Sequence, residues 1–118
     1  PWGIWEMPIY YMDNMDFWTG LNWPELGHAP FDPRIIQASL REEGLFVFDF
    51  HPLHIALNTR DHADYASVRE KIIRDGASPF DLTFPGRGTR TFFLELCAAM
   101  REGSHASRGC WEALDRLK

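Results

Sequence analysis

Four side chains that can move a proton fall in two short stretches. Asp13 and Asp16 lie in Asp13-Asn14-Met15-Asp16, and His51 and His54 lie in His51-Pro52-Leu53-His54. A carboxylate beside an imidazole is equipment for general acid–base chemistry, because the carboxylate favours the protonated ring that can deliver a proton. If the backbone turns after Asp13, both carboxylates can face one cavity. Asp13 and Asn14 equally serve to close a turn, the commoner use of these residues, and His51 equally serves a loop by donating to a backbone carbonyl. His51 and His54 also have a spacing that zinc uses on helices, with Asp49, Asp61 and His62 near in sequence. Pro52 between the two histidines speaks against a regular helix there.

Two strands must deliver these groups. Leu45 to Phe50 is apolar except for Asp49 and follows Gly44, which fits a short strand buried on both faces. Pro52 ends it, so His51 arrives at the strand's carboxyl end, where α/β sheets and barrels place reactive groups. Ile4 to Met12, with Ile, Trp and two Tyr, reads as a second strand with Pro8 near its start or on its edge. Thr19 to Pro33 reads as a loop, with Trp23 and Phe31 as packing anchors and His28 in solvent. Asp32 then caps a helix with Pro33 at its first position, Ile35, Ile36 and Leu40 on its apolar face and Gly44 beyond its end. Strand, helix, strand implies a right-handed crossover and two parallel strands. Asp13 and Asp16 can therefore face His51 along one sheet edge.

Downstream, Ile55 to Asp61 shows no period. Asp64 to Arg74 reads as a helix with Tyr65, Val68 and Ile72 on one face and Gly76 as its stop. Ala77 to Gly88 reads as loop, and Pro85-Gly86-Arg87-Gly88 lacks the Lys-Ser/Thr of a phosphate-binding loop, so it is expected to be a turn. Thr89 or Thr91 caps a helix through Glu102 with Phe92, Phe93, Leu96, Cys97 and Met100 inward. A last helix, Ser107 to Lys118, buries Trp111, Leu114 and Leu117. The expectation is an α/β chain of about two parallel strands and about four helices, one partial domain over residues 1–118.

At 118 residues, net charge −5 and a pI near 5.4, with ten Arg and two Lys scattered rather than clustered, nucleic acid is not the expected partner. No run approaches the ~18 apolar residues of a membrane span. No signal peptide is visible in these residues, which says little of the compartment; it stays unknown, with the cytoplasm slightly favoured. Cys97 and Cys110 are too few for a disulfide framework, and Cys97 among Leu94, Leu96, Ala98 and Met100 is expected to be a buried free thiol.

The strings Asp13-Asn14-Met15-Asp16-Phe17-Trp18 and Phe46-Val47-Phe48-Asp49-Phe50-His51 resemble the last two motifs of polysaccharide deacetylases, the NodB-homology enzymes of carbohydrate esterase family 4. Asp49 to Thr59, with Gly88 to Phe93, resembles the WbmS-like branch, associated with bacterial surface polysaccharide. The resemblance implies the carboxyl-terminal part of a distorted (β/α) barrel, and a metal-dependent hydrolase removing acetyl groups from N-acetylated sugars. In that family a His protonates the leaving amine and an Asp tunes it. Those roles fall on His51 and Asp16, with Asp13 as the fallback, while Trp18 and His54 fall to substrate binding. Phe17 separates Asp16 from Trp18, a one-residue departure from the family pattern.

A larger departure is that neither the Thr-Phe-Asp-Asp segment nor the paired-His segment that carries the family's base and metal ligands occurs here. The divalent metal, zinc by expectation, therefore belongs to a full-length protein, with none expected in this chain. The first residue is Pro1, and an amino-terminally truncated fragment, inactive alone, is the expectation. The alternative is a non-catalytic carbohydrate-binding or interaction module. It rests on the aromatic surplus of Trp2, Trp5, Tyr10, Tyr11, Phe17, Trp18 and Trp23, since aromatic faces suit sugars and interfaces.

Overall fold

The computed structural model describes residues 5–18, 29–103 and 105–117. Trp2, Trp23 and His28 lie outside them. The chain order is β1 (Ile9–Met12), α1 (Asp13–Phe17), α2 (Pro33–Arg41), β2 (Val47–Asp49), α3 (Pro52–Leu57), α4 (His62–Asp75), a 3-10 turn (Pro79–Leu82), α5 (Thr89–Glu102) and α6 (Cys110–Leu117).

The two strands pair in parallel, with Ile9 opposite Val47, Tyr11 opposite Phe48 and Met12 opposite Asp49, and an irregularity between Ile9 and Tyr11. Parallel pairing with α2 between the strands is the crossover that the pattern implies, and it brings Asp13 and His51 to one sheet edge. Both strands are shorter than their apolar runs. The ladder holds three pairs, interrupted by the slip between Ile9 and Tyr11, and ends where Met12 leads into α1. The residues of β2 are half-buried rather than covered on both faces. A two-stranded sheet leaves each strand one unpaired edge among the described residues.

The α2 start is as expected. Asp32 accepts from the Arg34 N–H at 2.8 Å with Pro33 at the first position, and Ile35 and Ile36 are buried. Two short helices stand where the pattern gave none. Asp13 to Phe17 forms α1 instead of a polar turn. Pro52, read as a breaker, is the first residue of α3, where its missing N–H costs nothing. Among the described residues the helices therefore number six, not four.

The core joins the sheet to α2 and α5. Tyr11, Phe17, Phe31, Ile35, Ile36, Phe92 and Leu96 are buried together, with Phe48 and Phe50 packed against them. Tyr11 is its centre, its ring 4.9 Å from Phe92 and 5.4 Å from Phe50. Two expectations about core membership are corrected. Cys97 and Cys110 are free thiols, but Cys97 is exposed, because the buried stripe of α5 is Thr89, Phe92 and Leu96, and Cys97 stands one residue past it. Trp111 is exposed while Ala113 and Leu114 are buried on α6. No described helix is long and apolar enough to cross a membrane.

Phe92 is 0% exposed and Leu94, two residues on, is 56% exposed. Phe92→Ala should cost about 3–5 kcal/mol of unfolding free energy through lost burial and the cavity left behind, and Leu94→Ala at most about 0.5 kcal/mol. Urea unfolding of the two variants beside the parent checks the contrast.

Candidate active site

Asp13 follows β1 directly and opens α1, and its carboxylate is completely buried. Burying a carboxylate is costly unless donors surround it, and here three do. The Asn14 N–H donates to Oδ1 at 2.7 Å, the His51 N–H to Oδ2 at 2.9 Å, and His51 Nδ1 to Oδ1 at 2.6 Å. One side chain therefore holds both the backbone and the ring of His51. The His51 side chain remains 43% exposed. Its Nδ1 proton is committed to Asp13, which leaves Nε2 as the atom able to exchange a proton with a ligand.

Asp16, the first-choice partner for His51, does other work in these hydrogen bonds. It accepts from the Tyr11 hydroxyl at 3.0 Å and from the Phe31 N–H at 2.7 Å. Burial, and then the Asp16 charge, push the Tyr11 hydroxyl far above its ordinary range, so it stays a donor. Asp16 thus pins the start of α2 to β1, and Asp13, the fallback, makes the bond to the imidazole. The reason is geometric. Asp13 opens α1 beside β2, whereas Asp16 lies a helical turn on, toward Phe31, whose positive φ of 61° turns its N–H inward.

His54 is buried on α3. Its Nδ1 lies 3.1 Å from Thr59 Oγ1, and its ring meets those of Phe17, Tyr65 and His51 edge-on at centroid distances of 5.0, 4.6 and 5.4 Å. Burial holds its pKa below the ordinary histidine value; the Asp13 charge works the other way, and the His51 charge adds to the lowering. Trp18, 42% exposed, stacks on His62 with ring centroids 3.8 Å apart.

The turn Pro85-Gly86-Arg87-Gly88 and the start of α5 do more than connect elements. Asn58 takes the left-handed conformation at the end of α3, its N–H bonding Ile55 O and the Thr59 N–H bonding His54 O at 3.0 Å, a Schellman closure. The Asn58 amide reaches Phe84 O and Gly86 O at 2.9 and 2.7 Å. Arg90 donates to Ile55 O and Ala56 O, carbonyls in the last turn of α3 that also accept from the Asn58 N–H and the Thr83 hydroxyl. A Cβ on Gly88 would stand 2.2 Å from Asn58 O, so only glycine lets the two segments meet. None of these residues drew a role from spacing alone, though the Asn58-Thr59 pair and the two glycines around Arg87 were visible as turn signals.

Asp13, His51 and His54 offer one donor atom each within 4.8 Å of one another. A carboxylate with two imidazoles is a composition that catalytic zinc accepts, but a tetrahedral shell with bonds of ~2.0–2.1 Å sets neighbouring donors roughly 3.3 Å apart. Here the Asp13–His51 approach of 2.6 Å is a hydrogen bond, and His54 Nδ1 is turned to Thr59. As arranged, Asp13 and His51 are held by a proton-sharing bond, and the Nε2 atoms of the two imidazoles are not engaged by these contacts. A hollow of about 240 Å³ lined by Ile9, Tyr10, Tyr11, Met12, Met15 and Asp16 does not include the His51 pair in its lining.

A family model for the WbmS-like polysaccharide deacetylases matches residues 2–69, more than half of the chain. The chain belongs to the WbmS-like polysaccharide deacetylase family. No curated protein and no solved structure matches it. The matched region contains Asp13, Asp16, Trp18, His51 and His54; Gly88 to Phe93 lies beyond it.

Because the folded His54 has the lower pKa, the unfolded chain binds more protons as the pH falls below about 6.5, and stability present above that value is lost on acidification. Urea midpoints measured at about pH 7.5 and about pH 5.5 should therefore fall further for the parent than for His54→Gln. Equal falls would mean that His54 does not contribute.

Proposed function

We propose that this chain supplies the proton-donating part of a metal-dependent deacetylase that removes acetyl groups from N-acetylated sugars of bacterial surface polysaccharide. The observation that carries the reading is the Asp13–His51 pair at the carboxyl ends of two adjacent parallel strands, in a chain of the deacetylase family. Amide hydrolysis stalls unless the departing nitrogen is protonated as the tetrahedral intermediate collapses. His51 Nε2 gives that proton. Asp13 fixes which nitrogen faces the substrate and stabilises the ring's charge while it holds two protons. Trp18 offers an apolar face to the acetyl group or sugar ring. Asp16 keeps Phe31 and the start of α2 against β1, so that the strand end bearing Asp13 does not move.

A divalent metal bound in such a deacetylase would supply polarisation of the carbonyl and activation of water. On this reading its ligands and the base come from outside these 118 residues, since neither the Thr-Phe-Asp-Asp segment nor the paired-His segment occurs among them. The chain alone is accordingly inactive, and its contribution appears in the protein extended upstream from its genomic locus.

Acetate release from N-acetylglucosamine oligomers by that extended protein tests the reading. His51→Ala should lower kcat about 10²–10⁴-fold, the range of a lost general acid, and Asp13→Asn should also reduce it. Near-normal turnover by His51→Ala removes His51 from the role.

The half-exposed Trp18, braced on His62, favours a second reading as a carbohydrate-binding module. On that reading the isolated chain binds the oligomers in calorimetry and Trp18→Ala abolishes the heat, while the extended protein releases no acetate.

A further inference from the structure

Thr59 is 1% exposed and five residues from His54, yet it lies beside the His54 ring because the Schellman closure folds the chain back over the last turn of α3. Every backbone group of Thr59 is used in that fold-back. Its N–H bonds His54 O, and its carbonyl accepts from the Thr89 N–H at 3.0 Å and the Thr89 hydroxyl at 3.2 Å. A buried hydroxyl must give its proton to an acceptor. Among the described residues the hydrogen-bond partner of Thr59 Oγ1 is His54 Nδ1. An imidazole nitrogen that accepts carries no proton, so the neutral ring holds its proton on the other nitrogen, Nε2.

We propose that Thr59 is a positioning residue that donates to His54 Nδ1 and fixes the ring as the Nε2–H tautomer, a neutral donor beside His51 for a carbonyl or hydroxyl oxygen of the sugar substrate. The substrate part rests on the deacetylase reading; the tautomer does not. Two different imidazoles then stand 5.4 Å apart. His51, with Nδ1 on a buried carboxylate, exchanges protons. His54, with Nδ1 on a neutral hydroxyl among the rings of Phe17 and Tyr65, keeps one proton in one place. A neutral donor suits an oxygen of an N-acetyl sugar, which carries no charge in the ground state, and it adds no second positive charge beside the acid.

The geometry also gives residues beyond the family match a part in the site. Thr89 and Gly88 hold Thr59 and Asn58 in place, so α5 sets the distance from the hydroxyl to the imidazole.

Nitrogen-15 correlation spectra of the histidine rings, recorded on the chain itself near neutral pH, read the tautomer without any activity. The parent should show His54 protonated at Nε2 with Nδ1 as acceptor. Thr59→Val, of similar shape without the hydroxyl, should shift or mix that signal, and Thr59→Ser should restore it. Circular dichroism confirms that each variant is folded; if Thr59→Val does not fold, the parent and Thr59→Ser spectra decide. A parent ring protonated at Nδ1, or a folded Thr59→Val with an unchanged His54 signal, overturns the proposal. In the extended protein, Thr59→Val should change KM for the oligomers more than kcat; equal KM with an intact tautomer removes the substrate contact alone. Absence of all acetate release in the parent would instead count against the deacetylase reading.

Discussion

The buried carboxylate of Asp13 is the constraint around which the sequence-distant halves of the site are assembled. An ion with no exposed surface is tolerable only while every donor around it stays in place. Two of its three donors belong to His51, which is 38 residues away and at the end of the other strand. The same bonds that make burial of the charge acceptable thus couple β1 to the start of α3. Removing either partner would leave a charge or a donor unmatched in the interior, so the pair is structural and chemical at once. This is why the catalytic reading and the stability of the strand pairing cannot be varied independently at Asp13.

A second junction performs the same service for the other histidine by different means. It uses neutral groups: a left-handed Asn58, two threonines, and a glycine whose missing side chain allows Asn58 O to approach. Arg90 adds its guanidinium to the last carbonyls of α3, where a cation suits the negative end of the helix. Arg87 bonds the carbonyl of Phe31 and the Glu95 carboxylate, and so fastens the same turn to the start of α2. Charge holds His51, and shape with neutral hydrogen bonds holds His54. That difference separates the chemistry open to two histidines three residues apart.

Much of this was readable from residues. The two strands, the Asp32–Pro33 helix start, the α5 helix through Glu102 and the convergence of acidic and imidazole groups at one sheet edge follow from apolar period and the strand–helix–strand order, although Gly88, not Thr89 or Thr91, stands at the α5 N-cap, with the Thr91 hydroxyl bonding back to it. What misled was local ambiguity. Asp-Asn-Met-Asp serves a turn or a helical start equally well, and Pro52 breaks a helix from within but opens one from its first position. Cys97 and Trp111 sit beside buried stripes, and one residue of rotation, about 100° on a helix, decides which side they face.

Residue order alone specifies which chemical groups are present, which strand ends carry them, and the family to which the chain belongs. That Asp13 rather than Asp16 meets His51, and that Thr59 meets His54, is fixed by packing in three dimensions. Hydrogen-bond partnership depends on distances of a few tenths of an ångström between groups far apart in the chain. Those distances are set by how Tyr11, Phe31 and Phe92 pack and by how closely Gly88 lets two backbones approach. Spacing along the chain carries no information at that scale.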